Sequence, residues 1–107
     1  MEISAYKTIE KEEVSKMTFQ KEKTYEFLEI FNSSKHLIRA MDGCTHLELL
    51  NDINSPHIYF TYSYWLSESD LNNYRNSDLF NKVWSKTKVL FAEKPEAWSV
   101  EQKVILE

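Results

Sequence analysis

His57-Ile58-Tyr59-Phe60-Thr61-Tyr62-Ser63-Tyr64-Trp65 is the stretch on which the fold turns. It is dense in β-branched and aromatic residues, which fit a pleated surface. The run Asn51-Asp52-Ile53-Asn54-Ser55-Pro56 before it carries turn chemistry. At a period of two, Tyr59, Thr61, Ser63 and Trp65 share one face and Ile58, Phe60, Tyr62 and Tyr64 the other. Neither set is polar in the way a solvent face is, so the sequence predicts a strand covered on both sides.

Working outward, the period changes between Lys21 and about Met41. Thr24, Phe27, Leu28, Phe31, Lys35 and Ile38 recur three or four apart and share a helix face, with His36 about opposite Phe27. Gly43 follows where a left-handed terminus favours a residue without a side chain. Cys44 to Leu50 alternates as a strand. Ser67 with Asp70 forms a capping pair for a short helix through Arg75, and Ser77-Asp78 caps another. That second helix carries Leu79, Phe80, Val83, Trp84, Thr87, Leu90 and Phe91 on one face, and Pro95 stops it. Ala97 to Leu106 alternates as a closing strand. At the other end, β-branched and aromatic residues predict a strand over Val14 to Gln20, preceded by a weak alternation of Ile3, Ala5, Lys7 and Ile9 and a charged run, Glu10 to Glu13.

The resulting order is strand, helix, strand, strand, helix, strand. This is an α+β, ferredoxin-like βαββαβ plan with an antiparallel four-stranded sheet and both helices on one face. The other face is left bare and aromatic, so a second copy of the chain is expected to cover it as a homodimer. A length of 107 residues accommodates one domain, taken as 1–107.

Composition excludes several functions. Lys plus Arg number 13 against 17 Asp plus Glu, a net charge of -4 that does not attract phosphate backbones, so no nucleic-acid partner is expected. One glycine cannot build a dinucleotide fingerprint or a phosphate loop, and one cysteine cannot build an intrachain disulfide or a thiolate zinc site. No apolar run reaches the ~20 residues of a membrane span. The first residues lack a basic stretch followed by an apolar one, so the expected compartment is the cytoplasm.

The three histidines, His36, His46 and His57, fall on different elements, and no metal site is expected of them. His46 alone sits on an interior-looking strand. Cys44 reads as a small buried hydrophobe. Glu48 is the one acid on an apolar strand face, whereas Asp70, Asp78, Glu93 and Glu96 belong to caps and turns. Aromatic residues make up 14% of the chain, more than so small a core needs. Tyr59, Trp65, Tyr74, Phe80, Trp84, Phe91 and Trp98 therefore predict a pocket for a flat, apolar ligand between helices and sheet, with no cofactor.

Three segments carry a family resemblance: Gly43-Cys44-Thr45-His46-Leu47-Glu48-Leu49-Leu50, Tyr62-Ser63-Tyr64-Trp65-Leu66-Ser67-Glu68 and Tyr74-Arg75-Asn76-Ser77-Asp78-Leu79-Phe80. Together with Phe91-Ala92-Glu93-Lys94-Pro95-Glu96-Ala97-Trp98-Ser99 they resemble the antibiotic biosynthesis monooxygenase domain family, from about Val14 to Gln102. Residues 1–13 fall outside as an extension or strand start, with Lys11, Glu12 and Glu13 where members begin an apolar strand. The resemblance implies a dimeric α+β barrel. It also implies oxygenation of anthrone- or quinol-like aromatics without metal or flavin, or, in another branch, heme degradation. Trp65 matches the tryptophan of the heme-degrading branch, but Ser15 stands at its asparagine and Trp84 at its histidine. Without that axial ligand, heme degradation is not expected. The quinol-oxidising branch has a histidine where this chain has Tyr74.

Two functional readings follow. In the first, a cofactor-independent monooxygenase holds a small aromatic substrate between Trp65, Trp84, Tyr59, Phe80 and Phe91, with Tyr74 or His46 handling the proton. In the second, the chain is a non-catalytic dimeric domain that binds an apolar metabolite. A third reading makes every ring core or interface.

Overall fold

The computed structural model describes residues 11–104 and Leu106. The alternation at Ile3 to Ile9 lies outside them. Strand β1 spans Lys11–Thr18, and a 3-10 turn at Lys21–Lys23 leads into helix α1, Thr24–Arg39. Strands β2 (Cys44–Asn51) and β3 (Ile58–Trp65) form a hairpin, and helices α2 (Glu68–Arg75) and α3 (Asp78–Thr87) follow. A second 3-10 turn, Lys88–Leu90, precedes strand β4, Glu96–Glu101. The sheet is antiparallel in the order β2-β3-β1-β4. The fold is the ferredoxin-like α+β plan, with three helices and four strands.

Local chemistry places these elements. The Ser67 hydroxyl caps α2 by accepting from the Asp70 backbone N–H at 3.0 Å, and the Ser77 hydroxyl caps α3 by accepting from Phe80 N–H at 3.1 Å. In the β2–β3 turn, Asp52 Oδ1 accepts from the backbone N–H groups of Asn54 and Ser55 at 2.8 and 2.9 Å. Helix α1 turns Phe27, Ser34 and Ile38 inward and leaves His36 exposed.

Two expectations at the strand ends are corrected. The first strand begins at Lys11 and ends at Thr18, displaced from Val14 to Gln20. The charged run reads as solvated in sequence, yet Glu12 and Glu13 are both buried. They are tolerated because β1 lies inside the sheet, where each carboxylate finds partners on its own face. The closing strand ends at Glu101, well short of Leu106.

The core is in two parts. Met17, Phe19, Phe27, Tyr59 and Leu90 form one cluster, around Phe19 and Phe27 stacked at 4.2 Å. Cys44, Trp65 and Leu71 form the other, with Met41 and Tyr74 packed against it. The far side of the sheet carries Phe60, Tyr62, Tyr64, Trp98 and Val100 on facing register positions, and the last two are largely exposed.

Gly43 joins α1 to β2 with a φ of +83°. Cys44 N–H donates to Met41 O at 3.0 Å and Leu66 N–H to Gly43 O at 2.8 Å, which pins the turn against the end of β3. A Cβ there would overlap the Asp70 side chain. Gly43→Ala is therefore expected to lower stability by more than the ~1–2 kcal/mol of a left-handed backbone alone. Urea unfolding checks this, and an unchanged midpoint contradicts it.

Candidate functional site

Between the two core clusters lies a cavity of about 350 Å³. Met17 and Phe27 line it from one cluster, and Trp65, Leu71 and Tyr74 from the other. The cavity is partly open to solvent, and its volume lies in the range of small-molecule sites.

Aromatic contacts build its roof. Trp65, fully buried at the end of β3, stacks on Tyr74 of α2 with ring centres 5.1 Å apart. Tyr74 meets Phe80 edge-on at 5.2 Å, and Phe80 lies parallel to Trp84 at 5.9 Å. The helical spacing of Phe80 and Trp84 on α3 gives this ladder its direction. The sheet supplies the floor through Glu13 and Ser15 of β1 and Thr61 and Ser63 of β3, and Ser63 Oγ accepts from Trp65 Nε1 at 2.9 Å.

The structure thus brings together Trp65, Tyr74, Phe80 and Trp84 of the expected site. It does not bring in Tyr59, Phe91, Trp98 or His46, and Trp98 lies on the outer face of the sheet. Tyr59 packs into the core, 5.3 Å from Phe27. Phe91 lies behind the wall, 5.6 Å from Trp84 and 5.2 Å from Phe19. His46 is on the opposite face of the sheet, pairing in register with Tyr64, with its Nε2 2.9 Å from Glu48 Oε1. The reason is a β-bulge: Cys44 faces Trp65 and His46 faces Tyr64, so two steps on β2 match one on β3. One extra residue reverses which face the rest of the strand presents. Cys44 stays inside, and burial pushes its thiol pKa up, as befits a packed residue and not a nucleophile.

Two residues of the cavity were not foreseen. Glu13 and Arg75 line it together, and Arg75 Nη2 donates to Glu13 Oε1. Ser99 Oγ of β4 donates to the other carboxylate oxygen at 2.7 Å. The signal was present in the alternation Glu13, Ser15, Met17, which has the parity of the core residue Met17. The neighbouring Glu12 points the other way, accepting from Tyr62 Oη at 2.7 Å and Gln102 Nε2 at 2.9 Å. Its hydrogen bond raises the Tyr62 pKa. Among the described residues, no group of three or more His, Cys, Asp or Glu side chains could hold a metal ion, and no helix is long and apolar enough to cross a membrane.

The sheet, its helices and this ring-walled cavity define an α+β domain of the ferredoxin-like kind with an internal ligand-sized space. The sequence profile of the antibiotic biosynthesis monooxygenase family matches residues 13–84, more than half of the 107, and the chain belongs to that family. No protein of curated function matches it. Among solved structures, a conserved protein from Methanosarcina mazei Go1 is similar with a TM-score of 0.85 at 20% identity, over 90% of this chain and 95% of the other. Rv0793 from Mycobacterium tuberculosis has a TM-score of 0.83 at 11% identity, over 92% and 99%. A protein described as an antibiotic biosynthesis monooxygenase has 0.83 at 11%, over 88% and 99%. At such identities the likeness is one of fold.

Burial, reinforced by Cys44, pushes the Tyr74 phenol from its ordinary pKa of 10.0 up to about 12. The unfolded chain gives up this proton near 10 and the folded chain near 12. The resulting stabilisation is whole below pH 10 and is lost as pH rises to 12. The melting temperature of Tyr74→Phe should accordingly decline less steeply than wild type across that window. Parallel declines contradict the assignment.

Proposed function

We propose that the chain is a cofactor-independent monooxygenase that holds a small, flat, electron-rich aromatic substrate of the quinol or anthrone kind in the cavity under Trp65, Tyr74, Phe80 and Trp84. The observation that carries the reading is the ring-walled cavity itself, about 350 Å³ in volume. Its walls match a planar ligand in shape and polarity.

In such a reaction the substrate loses a proton and passes one electron to molecular oxygen. The two radicals combine into a peroxide anion, which takes up a proton and loses water. For a ring methylene the balance is one oxygen molecule in, one carbonyl and one water out. The protein's part is to orient the ring, exclude water and stabilise the developing negative oxygen. Tyr74 suits the last task, because it lines the cavity and its phenol O–H is a hydrogen-bond donor. Tyr74 lines the cavity and His46 lies on the other face of the sheet, which supports Tyr74 as the residue that handles the proton.

The second reading is a binding domain without turnover. Oxygen uptake with a panel of anthrones and quinols separates the two. Saturable uptake, reduced at least tenfold in Tyr74→Phe and in Trp65→Phe, is expected of the enzyme. Ligand binding with no uptake across the panel would falsify the oxygenase reading and leave the binding domain.

The partner we propose is a second copy of the chain, seated on the outer sheet face. Phe60, Tyr62, Tyr64, Trp98 and Val100 lie there, and the Tyr62 hydroxyl donates to Glu12, which also accepts from Gln102. Such a face loses little on being covered. At micromolar concentration the chain should sediment as a dimer, and Trp98→Lys, which alters a side chain outside the core, should sediment as a folded monomer. A wild-type monomer at that concentration refutes the pairing.

A further inference from the structure

Glu13 is out of place as a stabilising residue. Its side chain is 9% exposed, and it spans two elements, held by Arg75 at the end of α2 and by Ser99 on β4. Arg75 is 40% exposed, and a partly exposed ion pair adds about 0–1 kcal/mol. Such a pair is a weak reason for a carboxylate at the floor of a cavity roofed by aromatic rings. A ligand is a stronger one.

A carboxylate accepts about four hydrogen bonds, two at each oxygen. Glu13 receives one at Oε1 from Arg75 and one at Oε2 from Ser99. Acceptor capacity remains at both oxygens, in a residue that lines the cavity. The nearby floor groups are the hydroxyls of Ser15, Thr61 and Ser63, and the Ser63 oxygen is engaged by Trp65. Arg75 balances the charge of Glu13, and the other charged lining residue is the exposed Glu96, so the site offers acceptors and no unpaired cation. That combination favours a neutral donor.

We propose that Glu13, oriented by Arg75 and Ser99, is the specificity-determining residue of the cavity and accepts a hydrogen bond from a phenolic hydroxyl of a neutral planar ligand. The inference rests on the reading of the cavity as a site for flat aromatics, and deepens it by naming the polar group such a ligand carries. The ring lies under Trp65, Tyr74, Phe80 and Trp84, and the hydroxyl points down to β1.

Isothermal titration calorimetry with 1-naphthol and its methyl ether, 1-methoxynaphthalene, tests this, because the two share a ring system and differ in the donor. Wild type should bind 1-naphthol at least about tenfold tighter, as expected for a hydrogen bond to a charged acceptor. Glu13→Gln should reduce that ratio to about threefold or less while leaving the methyl ether's affinity within about twofold. Ser99→Ala, which keeps the Arg75 contact, should reduce it partially. Equal affinity of wild type for both compounds overturns the proposal while leaving the cavity an aromatic site. A preference undiminished in Glu13→Gln also overturns it, in favour of the floor hydroxyls. Should neither compound bind wild type, the aromatic-site reading fails together with the anchor. The wild-type comparison stands even if a variant does not fold.

Discussion

The antiparallel register between β1 and β3 sets Glu13 opposite Ser63, Ser15 opposite Thr61 and Met17 opposite Tyr59. Those pairs form the helix-facing side of the sheet from the cavity floor to the core. The alternate positions, Glu12 opposite Tyr64 and Val14 opposite Tyr62, form the outer side. A slip of one residue would exchange the two sets and turn Glu12 into the cavity and Glu13 out of it. Lys16 would then enter the core at the place of Met17, and Met17 would move to the outer face. A lysine buried there without a partner is costly, and that cost opposes the slip.

The cavity exists because the helix layer meets the sheet at two ends. Phe19, Phe27, Leu90 and Phe91 fill one end, and Cys44, Trp65 and Leu71 the other. Tyr74, Phe80 and Trp84 bridge them as an aromatic roof, with Tyr74 stacked on Trp65, Phe80 edge-on to Tyr74 and stacked on Trp84. Rings suit this role because they hold their shape across a gap with few rotatable bonds. On the polar floor beneath, Trp65 donates to Ser63, and Arg75 and Ser99 donate to Glu13.

Much of this was legible in the residues. The two serine caps, the apolar stripe Phe27, Phe31 and Ile38, and the dense β3 run each carry a local signal that the tertiary structure did not alter. That Trp65, Tyr74, Phe80 and Trp84 would gather around one space was legible because rings at strand and helix spacing exceeded what one small core absorbs. Glu13 was not, because a Lys-Glu-Glu run looks solvated until its strand is known to lie inside a sheet. His46 misled for a different reason. Strict alternation from the buried Cys44 carries it inward, and only the bulge between them turns it out.

Period and capping act within a few residues of chain, so the amino-acid order by itself determined the elements, their sequence along the fold and the surplus of rings. Which side of the sheet a given strand residue faces depends on register and on one inserted residue in a neighbouring strand, and these are settled by pairing between distant segments. Only the folded sheet could decide that Glu13 enters the cavity, that His46 leaves it, and that Arg75 and Ser99 meet on one carboxylate.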